Sequence, residues 1–555
     1  MNGGAARPEA RRGLSRRFWA LDPSGSLLGL VLAALSVTPS LLPRPALLQG
    51  VIAAFAFGLG YLLGAAVAAL VRRLLGVRPR PVPRSWWPVY AGLWLVAIGA
   101  FAVLAVLWQN EVRALVEMPP LTGAQTTLFL AGLLPAAALL LLIGKAVRGM
   151  WRGLRRRSGT ALAWLGSATV VAAALAALVV LVTSAVDAIY LQRNGAPDAD
   201  AREPASEFRS AGPDSAIDWE TLGRHGADFV GGGPSESRIA RLTGRPARTP
   251  IRVYAGVESA PTARERAELL VAELERTGAF ERSVLVVATP TGSGWLEPQA
   301  VDAIEYLHGG DTAIVAMQYA YTPSWVSFLF DPDAPVEASR LLFDAVEERW
   351  LQLPAAQRPR LLAYGLSLGA HGGQAVFADL DEVRARTDGA LFVGSPNGSP
   401  LWRTLQGARD AGSPAWQPVL DEGRHVRWMS QRGDEARLSG PWQEPRVLYL
   451  QHATDPVTWL SGELLWRSPE WLEPGQRGAD VSASMRWMPV VTALQVTVDM
   501  FGGTAVPARH GHNFGDVLVA GWREIAGDAG LDEAARERIQ AEIESYAPIA
   551  ASSVE

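Results

Sequence analysis

The chain has 555 residues, enough for several domains, and a composition of 49% hydrophobic with only 19% charged residues is too apolar for an ordinary soluble protein of this size. With no cysteine at all, disulfides, thiolate catalysis and Cys-based zinc or iron–sulfur sites are excluded. The net charge of -4 conceals a split: residues 1–190 hold 18 Lys+Arg against 5 Asp+Glu (+13), the remainder 33 against 50 (-17), and an acidic remainder argues against a nucleic-acid partner.

In chain order, a cluster of arginines (Arg7, Arg11, Arg12, Arg16, Arg17) precedes apolar runs near 27–42, 47–70, 89–107, 127–143 and 162–186. Each is close to the roughly 20 residues that cross a bilayer, which predicts about five transmembrane helices in an N-terminal membrane domain over 1–190. The first run lacks a small-residue cleavage site and a second span follows at once, so an uncleaved helix is favoured over a signal peptide. Arg72, Arg73, Arg78, Arg80 and Arg84 fall in one connection and Lys145, Arg148, Arg152, Arg155, Arg156 and Arg157 in another, while the other two hold only Arg44 and Arg113. The positive-inside bias puts the basic connections and the N-terminus in the cytoplasm, hence everything beyond the fifth span outside it, with the plasma membrane bilayer as a partner. Gly60-Tyr-Leu-Leu-Gly64 has small-residue spacing and is read as ordinary helix packing rather than a dimer interface. No ionisable residue lies inside the runs before Asp187, which leaves an ion or proton pathway nothing to use.

Residues 191–249 are rich in Pro, Gly, Ser, Asp and Arg and read as a juxtamembrane linker with a short ordered segment near 217–229. From 250 to 555, strand-like runs alternate with helical segments: 251–255, a helix near 263–277, 283–288, a helix near 298–307, 312–317, a helix near 336–351, then strands at 360–364, 390–393 and 447–451. That alternation predicts a mostly parallel sheet covered on both faces, with reactive groups collected at the carboxyl ends of its strands.

The strand at 360–364 runs into Gly365-Leu-Ser367-Leu-Gly369, followed by a helix-compatible stretch. Strand, tight turn and helix around Gly-x-Ser-x-Gly is the signature of a nucleophile elbow, with Ser367 as nucleophile. A serine needs a base, and the base an orienting acid, here in the order Ser, Asp, His. Asp455 stands just past the strand 447–451 and fits the acid. Of seven histidines, order leaves His510 and His512 in Arg509-His-Gly-His-Asn-Phe, just before a predicted helix; His512 is favoured because Gly-His-Asn-Phe adjoins that helix, with His510 close behind. A His-x-His metal site lacks a third ligand at recognisable spacing, so neither metal nor cofactor is expected. The backbone N–H of Leu368 would help form an oxyanion hole, with Gly292 and Gly294 of Ala288-Thr-Pro-Thr-Gly-Ser-Gly-Trp295 supplying the second donor. Trp295, Trp325 and Asn397 are candidate pocket residues. An insertion at about 456–505, with Trp459, Trp466, Trp471 and Trp487, separates acid from base, and Trp325, Trp459 and Trp466 are candidates for a lid or lipid-facing rim.

Pro290-Thr-Gly-Ser-Gly-Trp, Tyr306-Leu-His-Gly-Gly-Asp-Thr-Ala-Ile-Val-Ala-Met-Gln-Tyr, Gly365-Leu-Ser-Leu-Gly, Gln451-His-Ala-Thr-Asp-Pro and His510-Gly-His-Asn together resemble a bacterial family of membrane-anchored α/β-hydrolases with a multi-span N-terminal domain. The resemblance implies an α-helical transmembrane bundle followed by an α/β-hydrolase domain, and a serine esterase or lipase with Ser367, Asp455 and His510 or His512 as triad, acting on an acyl-ester or lipid substrate. An acyltransferase with the same residues, or a non-catalytic envelope-scaffold module that keeps the fold, are the alternatives.

Overall fold

The computed structural model describes residues 22–76 and 86–546. The arginines expected near the N-terminus, and Arg78, Arg80 and Arg84, lie outside the described residues. Two compact units are present: one comprises most of the chain up to Leu175, the other Ser40–Leu42, Leu115–Met118 and Ala176–Glu555.

The apolar runs are helical: α1 (Pro23–Ser36), α2 (Ala46–Leu74), α3 (Trp86–Leu115) and α4 (Gly123–Asn194). Among the described residues three helices, α2, α3 and α4, are long and apolar enough to cross a membrane. The fourth and fifth expected spans lie in α4, whose 72 residues are interrupted at Gly159 by non-helical backbone (φ 81°, ψ 176°). The first expected span is shorter than its apolar run, because α1 stops at Ser36 and leaves 14 helical residues. Leu62, Leu95 and Leu181 are all about two-thirds exposed, a distribution that fits hydrocarbon as solvent. A Cβ on Gly60 would lie 2.6 Å from the Leu28 carbonyl oxygen and one on Gly64 2.7 Å from that of Ser24, so the small residues let α1 and α2 pack closely within one chain.

The second unit is built on seven parallel strands, β1 (Ile251–Ala255), β2 (Val284–Thr289), β3 (Thr312–Met317), β4 (Arg360–Leu366), β5 (Gly389–Val393), β6 (Val426–Met429) and β7 (Arg446–Leu450), in the order β1-β3-β2-β4-β5-β7-β6. The strands are Val-, Leu- and Ala-rich and buried nearly throughout, as a parallel sheet covered on both faces requires. Connecting helices include α5 (Ala263–Arg276), α6 (Pro298–Leu307) and α7 (Ala334–Leu351). A capping box fixes the start of α5: Thr262 accepts the Glu265 N–H while the Glu265 carboxylate accepts the Thr262 N–H. Strand β6 is not among the expected strands. It has four residues, and its Arg427 is accommodated by the carbonyls of Gly423, Leu438 and Gly440 and by the face of Trp442.

The stretch 191–249 is not a linker. Ile217, Leu222, Phe229, Val230 and Ile239 are buried in the same core as the sheet, Ser210 N–H donates to the Arg252 carbonyl, and the Tyr254 ring packs on Phe229 and Gly226. Its apolar residues are sparse in sequence but fall on one side, where they cover the edge strand β1; composition alone conceals this.

Glu297 caps the N-terminus of α6 through the Gln299 N–H and is almost wholly buried, and that burial pushes its carboxyl up to about 8. Between about 4.5, where the unfolded carboxyl titrates, and 8 the folded state holds the extra proton, so this residue's contribution to stability falls as pH rises. Glu297→Gln removes that dependence: relative to wild type its melting temperature should rise by several degrees more at pH 8 than at pH 5, on the order of 3–5 °C. A difference unaffected by pH would contradict the buried carboxyl.

Candidate active site

Strands β4, β5 and β7 are adjacent and end in register, Leu366 opposite Val393 and Val393 opposite Leu450. The next residue after β4 is Ser367, the next after β5 is Gly394, and Asp455 follows β7 by five residues. Three neighbouring strand ends, spaced by about 4.8 Å in a sheet, therefore bring together residues far apart in sequence.

Ser367 stands between β4 and the helix α8 (Leu368–Gln374) with φ 57° and ψ -124°, a strained conformation for a residue with a side chain. Its N–H donates to the Val393 carbonyl at 2.8 Å, which ties the turn to the neighbouring strand end. The elbow glycines are dictated by space: a Cβ on Gly365 would lie 2.3 Å from the Gly369 carbonyl oxygen, and one on Gly369 2.2 Å from that of Thr289. Leu368 N–H is the first donor of α8 and, like other first-turn donors, has no intrahelical acceptor. His371 lies on this helix, where its Nδ1 meets Ser399 Oγ at 3.2 Å, and burial lowers its pKa.

The acid and the histidines separate cleanly. His512 Nδ1 lies 2.8 Å from Asp455 Oδ2, and both side chains are buried. Asp455 also accepts from the Val457 N–H at 2.9 Å and from Thr458 Oγ at 3.2 Å, so the buried carboxylate is held by three donors. A carboxylate only accepts, which assigns a proton to His512 Nδ1; in the neutral ring Nε2 then carries the lone pair, and that atom is buried without a hydrogen-bond partner. The ring lies against Gly394, where a Cβ would come within 2.4 Å of His512 Cε1. His510 is directed elsewhere, its Nδ1 3.1 Å from Asp480 Oδ2, so the two histidines do not converge on one point. The peptide between them is pinned: Gly511 N–H donates to Thr454 Oγ at 3.0 Å, and its carbonyl accepts from His452 Nδ1 at 2.9 Å. Burial lowers the His452 pKa, and its ring stacks on Phe514 at 4.2 Å.

The loop after β2 runs beside the elbow, with the Thr289 and Pro290 carbonyls facing Gly369. Neither glycine expected to donate is free. Gly294 N–H closes a turn onto the Thr291 carbonyl, and Gly294 itself serves a close approach, with φ 91° and the Tyr254 hydroxyl donating to its carbonyl. Gly292 N–H donates to Ser324 Oγ at 3.1 Å, a hydroxyl that can rotate away. Sequence reasoning passed over Thr291, whose hydroxyl is buried without a partner one residue beyond Pro290; a polar side chain inside a Gly-rich loop was its only signal.

Trp295 is buried and Asn397 donates to the Thr458 carbonyl at 3.3 Å. Trp459 is not a rim residue: it is 3% exposed, packs between Trp402 and Trp471, and donates to the His452 carbonyl, because its indole spans the gap beneath the insertion. Trp466 is 67% exposed, and Trp325 is partly exposed against Phe501.

A strained serine at the end of a central parallel strand, with a buried aspartate beyond β7 joined to a buried histidine, fits a domain of the α/β-hydrolase type. Residues 251–539 match the alpha/beta-hydrolase family and residues 37–234 the N-terminal region of that family. The chain belongs to the alpha/beta-hydrolase family. No curated protein and no solved structure matches it significantly.

The space beside Gly394 is taken by the His512 ring, and the residue has φ 55°. Gly394→Ala should therefore displace the histidine while leaving Ser367 chemically intact, lowering turnover of an activated ester by roughly 10²-fold. Ester hydrolysis by the purified variant, compared with its melting temperature, checks this; unchanged turnover would separate His512 from the reaction.

Proposed function

We propose that the protein is a membrane-anchored serine hydrolase that cleaves acyl esters through an acyl-enzyme. The observation that carries this reading is the buried 2.8 Å contact of His512 with Asp455, which leaves His512 Nε2 unpartnered next to the strand end that holds the Ser367 N–H. In the proposed reaction His512 Nε2 takes the Ser367 proton as Oγ attacks the ester carbonyl, and Asp455 stabilises the imidazolium. The resulting oxyanion is held by Leu368 N–H and by a second donor from the loop after β2, either the Thr291 hydroxyl or Gly292 N–H once Ser324 turns aside. Collapse expels the alcohol, which takes the proton from His512; water then repeats the sequence and frees the acid. His512 Nε2 makes no hydrogen bond to Ser367, and catalytic hydrogen bonds of this kind commonly tighten in the complex with substrate.

A lipid-like acyl group is favoured by the exposed apolar residues of the segment Ser324–Phe330 and of the insertion: Trp325, Phe328, Phe330, Trp466, Leu494 and Phe501. An acyltransferase would differ only in the acceptor that replaces water. The basic connections favour a cytoplasmic N-terminus and a hydrolase unit on the far side of the membrane. Since the chain has no cysteine, single introduced cysteines report on this directly: Glu473→Cys should react with a membrane-impermeant maleimide in intact cells and Arg152→Cys should not.

A fluorophosphonate probe should label wild type and fail on Ser367→Ala. Labelling that survives the substitution, or no labelling of wild type, would favour a non-catalytic scaffold. His512→Ala should lose roughly 10⁴–10⁶-fold in turnover, as expected for a member of such a triad. His510→Ala should lose far less; the reverse ranking would transfer the base to His510.

A further inference from the structure

We propose that the short segments joining the apolar helices, Ser40–Leu42 between α1 and α2 and Leu115–Met118 between α3 and α4, are positioning elements for the histidine loop, so that the helical region contributes to catalysis and not only to anchoring. The proposal rests on the serine-hydrolase reading above. Both segments belong to the same compact unit as the sheet, and Leu41, Leu42 and Val116 are buried in its core at 1% exposure or less.

Three contacts reach the segment that carries His512. First, the backbone N–H groups of Leu41 and Leu42 both donate to Asp499 Oδ2, at 3.0 and 3.4 Å. Asp499 is the last residue of the helix α9 (Val491–Asp499) and is itself 1% exposed, so its carboxylate depends on such donors to stay buried. It leads straight into the turn Met500–Gly502, and the next carbonyl, that of Gly503, accepts the His512 N–H at 2.7 Å. Second, the Leu42 side chain closes on the residue between the two histidines, Gly511, which has φ 55°: its Cδ1 lies 3.2 Å from where a Gly511 Cβ would be. Third, Glu117 accepts from Arg509 at 2.9 and 3.2 Å, just before the histidine pair.

These contacts supply what the secondary structure lacks. Among the described residues no strand lies between Asp455 and His512, so the 57-residue excursion returns the histidine on a loop with no ladder of its own. A loop's geometry is set by its end contacts, and a displacement of about 1 Å at a reacting group can cost 10²-fold in rate. Of the three contacts the Asp499 cap should dominate, because it is buried, while the Glu117–Arg509 pair is partly exposed and screened.

The test uses the full-length chain in lipid nanodiscs, with fluorophosphonate labelling rates and hydrolysis of a short activated ester as readouts. Asp499→Ala should lower kcat and the labelling rate roughly 10–100-fold at unchanged KM, and speed amide hydrogen exchange across 503–513. Asp499→Asn, which keeps an acceptor oxygen, should recover most of the loss. Glu117→Arg and Arg509→Glu should each lower the labelling rate, and their combination restore it. Should Asp499→Ala not fold, Asp499→Asn and the Glu117/Arg509 exchange carry the same comparison. Unaltered kcat in folded variants, or a raised KM at constant kcat, overturns the inference while wild type still labels at Ser367. Absence of labelling in wild type itself is the separate failure of the serine-hydrolase reading.

Discussion

The buried hydrogen bond between His512 and Asp455 is the interaction on which the rest of the site depends. It places a proton on His512 Nδ1, while Nε2 of the same ring is buried without a hydrogen-bond partner. A buried carboxylate is costly unless fully satisfied, and the Asp455 carboxylate is satisfied only because the chain turns immediately after it: Pro456 starts a short helix whose Val457 N–H and Thr458 hydroxyl both point back. Asp455 is thus held by local chain geometry, as the N-cap of the short helix that follows it. The histidine has no such local support, and most of the unusual features beyond β7 act on that deficit.

The sheet explains why the serine side of the site is rigid. Ser367 is hydrogen-bonded through its own N–H to the neighbouring strand end, and the elbow is closed between the loop after β2 and the helix behind it at distances that admit only glycine. Strain of this kind persists when the surrounding packing over-determines it, and here a central strand of a seven-stranded sheet supplies that packing. The serine needs no help from the rest of the chain.

Much of this was legible in the residues. Continuous Val/Leu/Ala runs are read correctly as buried parallel strands, and the glycine spacing around Ser367 has a steric cause that the structure reproduces. The place of Asp455 just past an apolar strand was legible as well, though not its contact with His512. What failed to show was whatever depends on contacts remote in sequence. Asp480 draws His510 away from the site, and nothing near either residue signals it. Trp459 looks like a rim residue by composition yet fills the core, while Trp466, seven residues on, is exposed; the hydrophobicity of an indole does not say which side of a loop it faces. The apparent linker at 191–249 hides its few large apolar residues among turn formers, and strand β6 hides behind an arginine whose charge is absorbed by three carbonyls.

The long excursion between Asp455 and His512 then acquires a structural role. Asp480 and Thr454 grip one face of the histidine loop, and Trp459 donates to the carbonyl of His452, whose ring holds the Gly511 peptide. The excursion therefore builds, from side chains, a floor that a further strand would build from backbone ladders. That substitution has a physical consequence: ladder bonds are repeated and redundant, whereas side-chain clamps are few, and each one removed frees a larger part of the loop. A histidine supported in this way is sensitive to whatever else touches its loop. In this chain the additional contacts come from Leu41, Leu42 and Glu117, residues that stand between apolar helices, so the sensitivity is directed toward the part of the sequence suited to lipid.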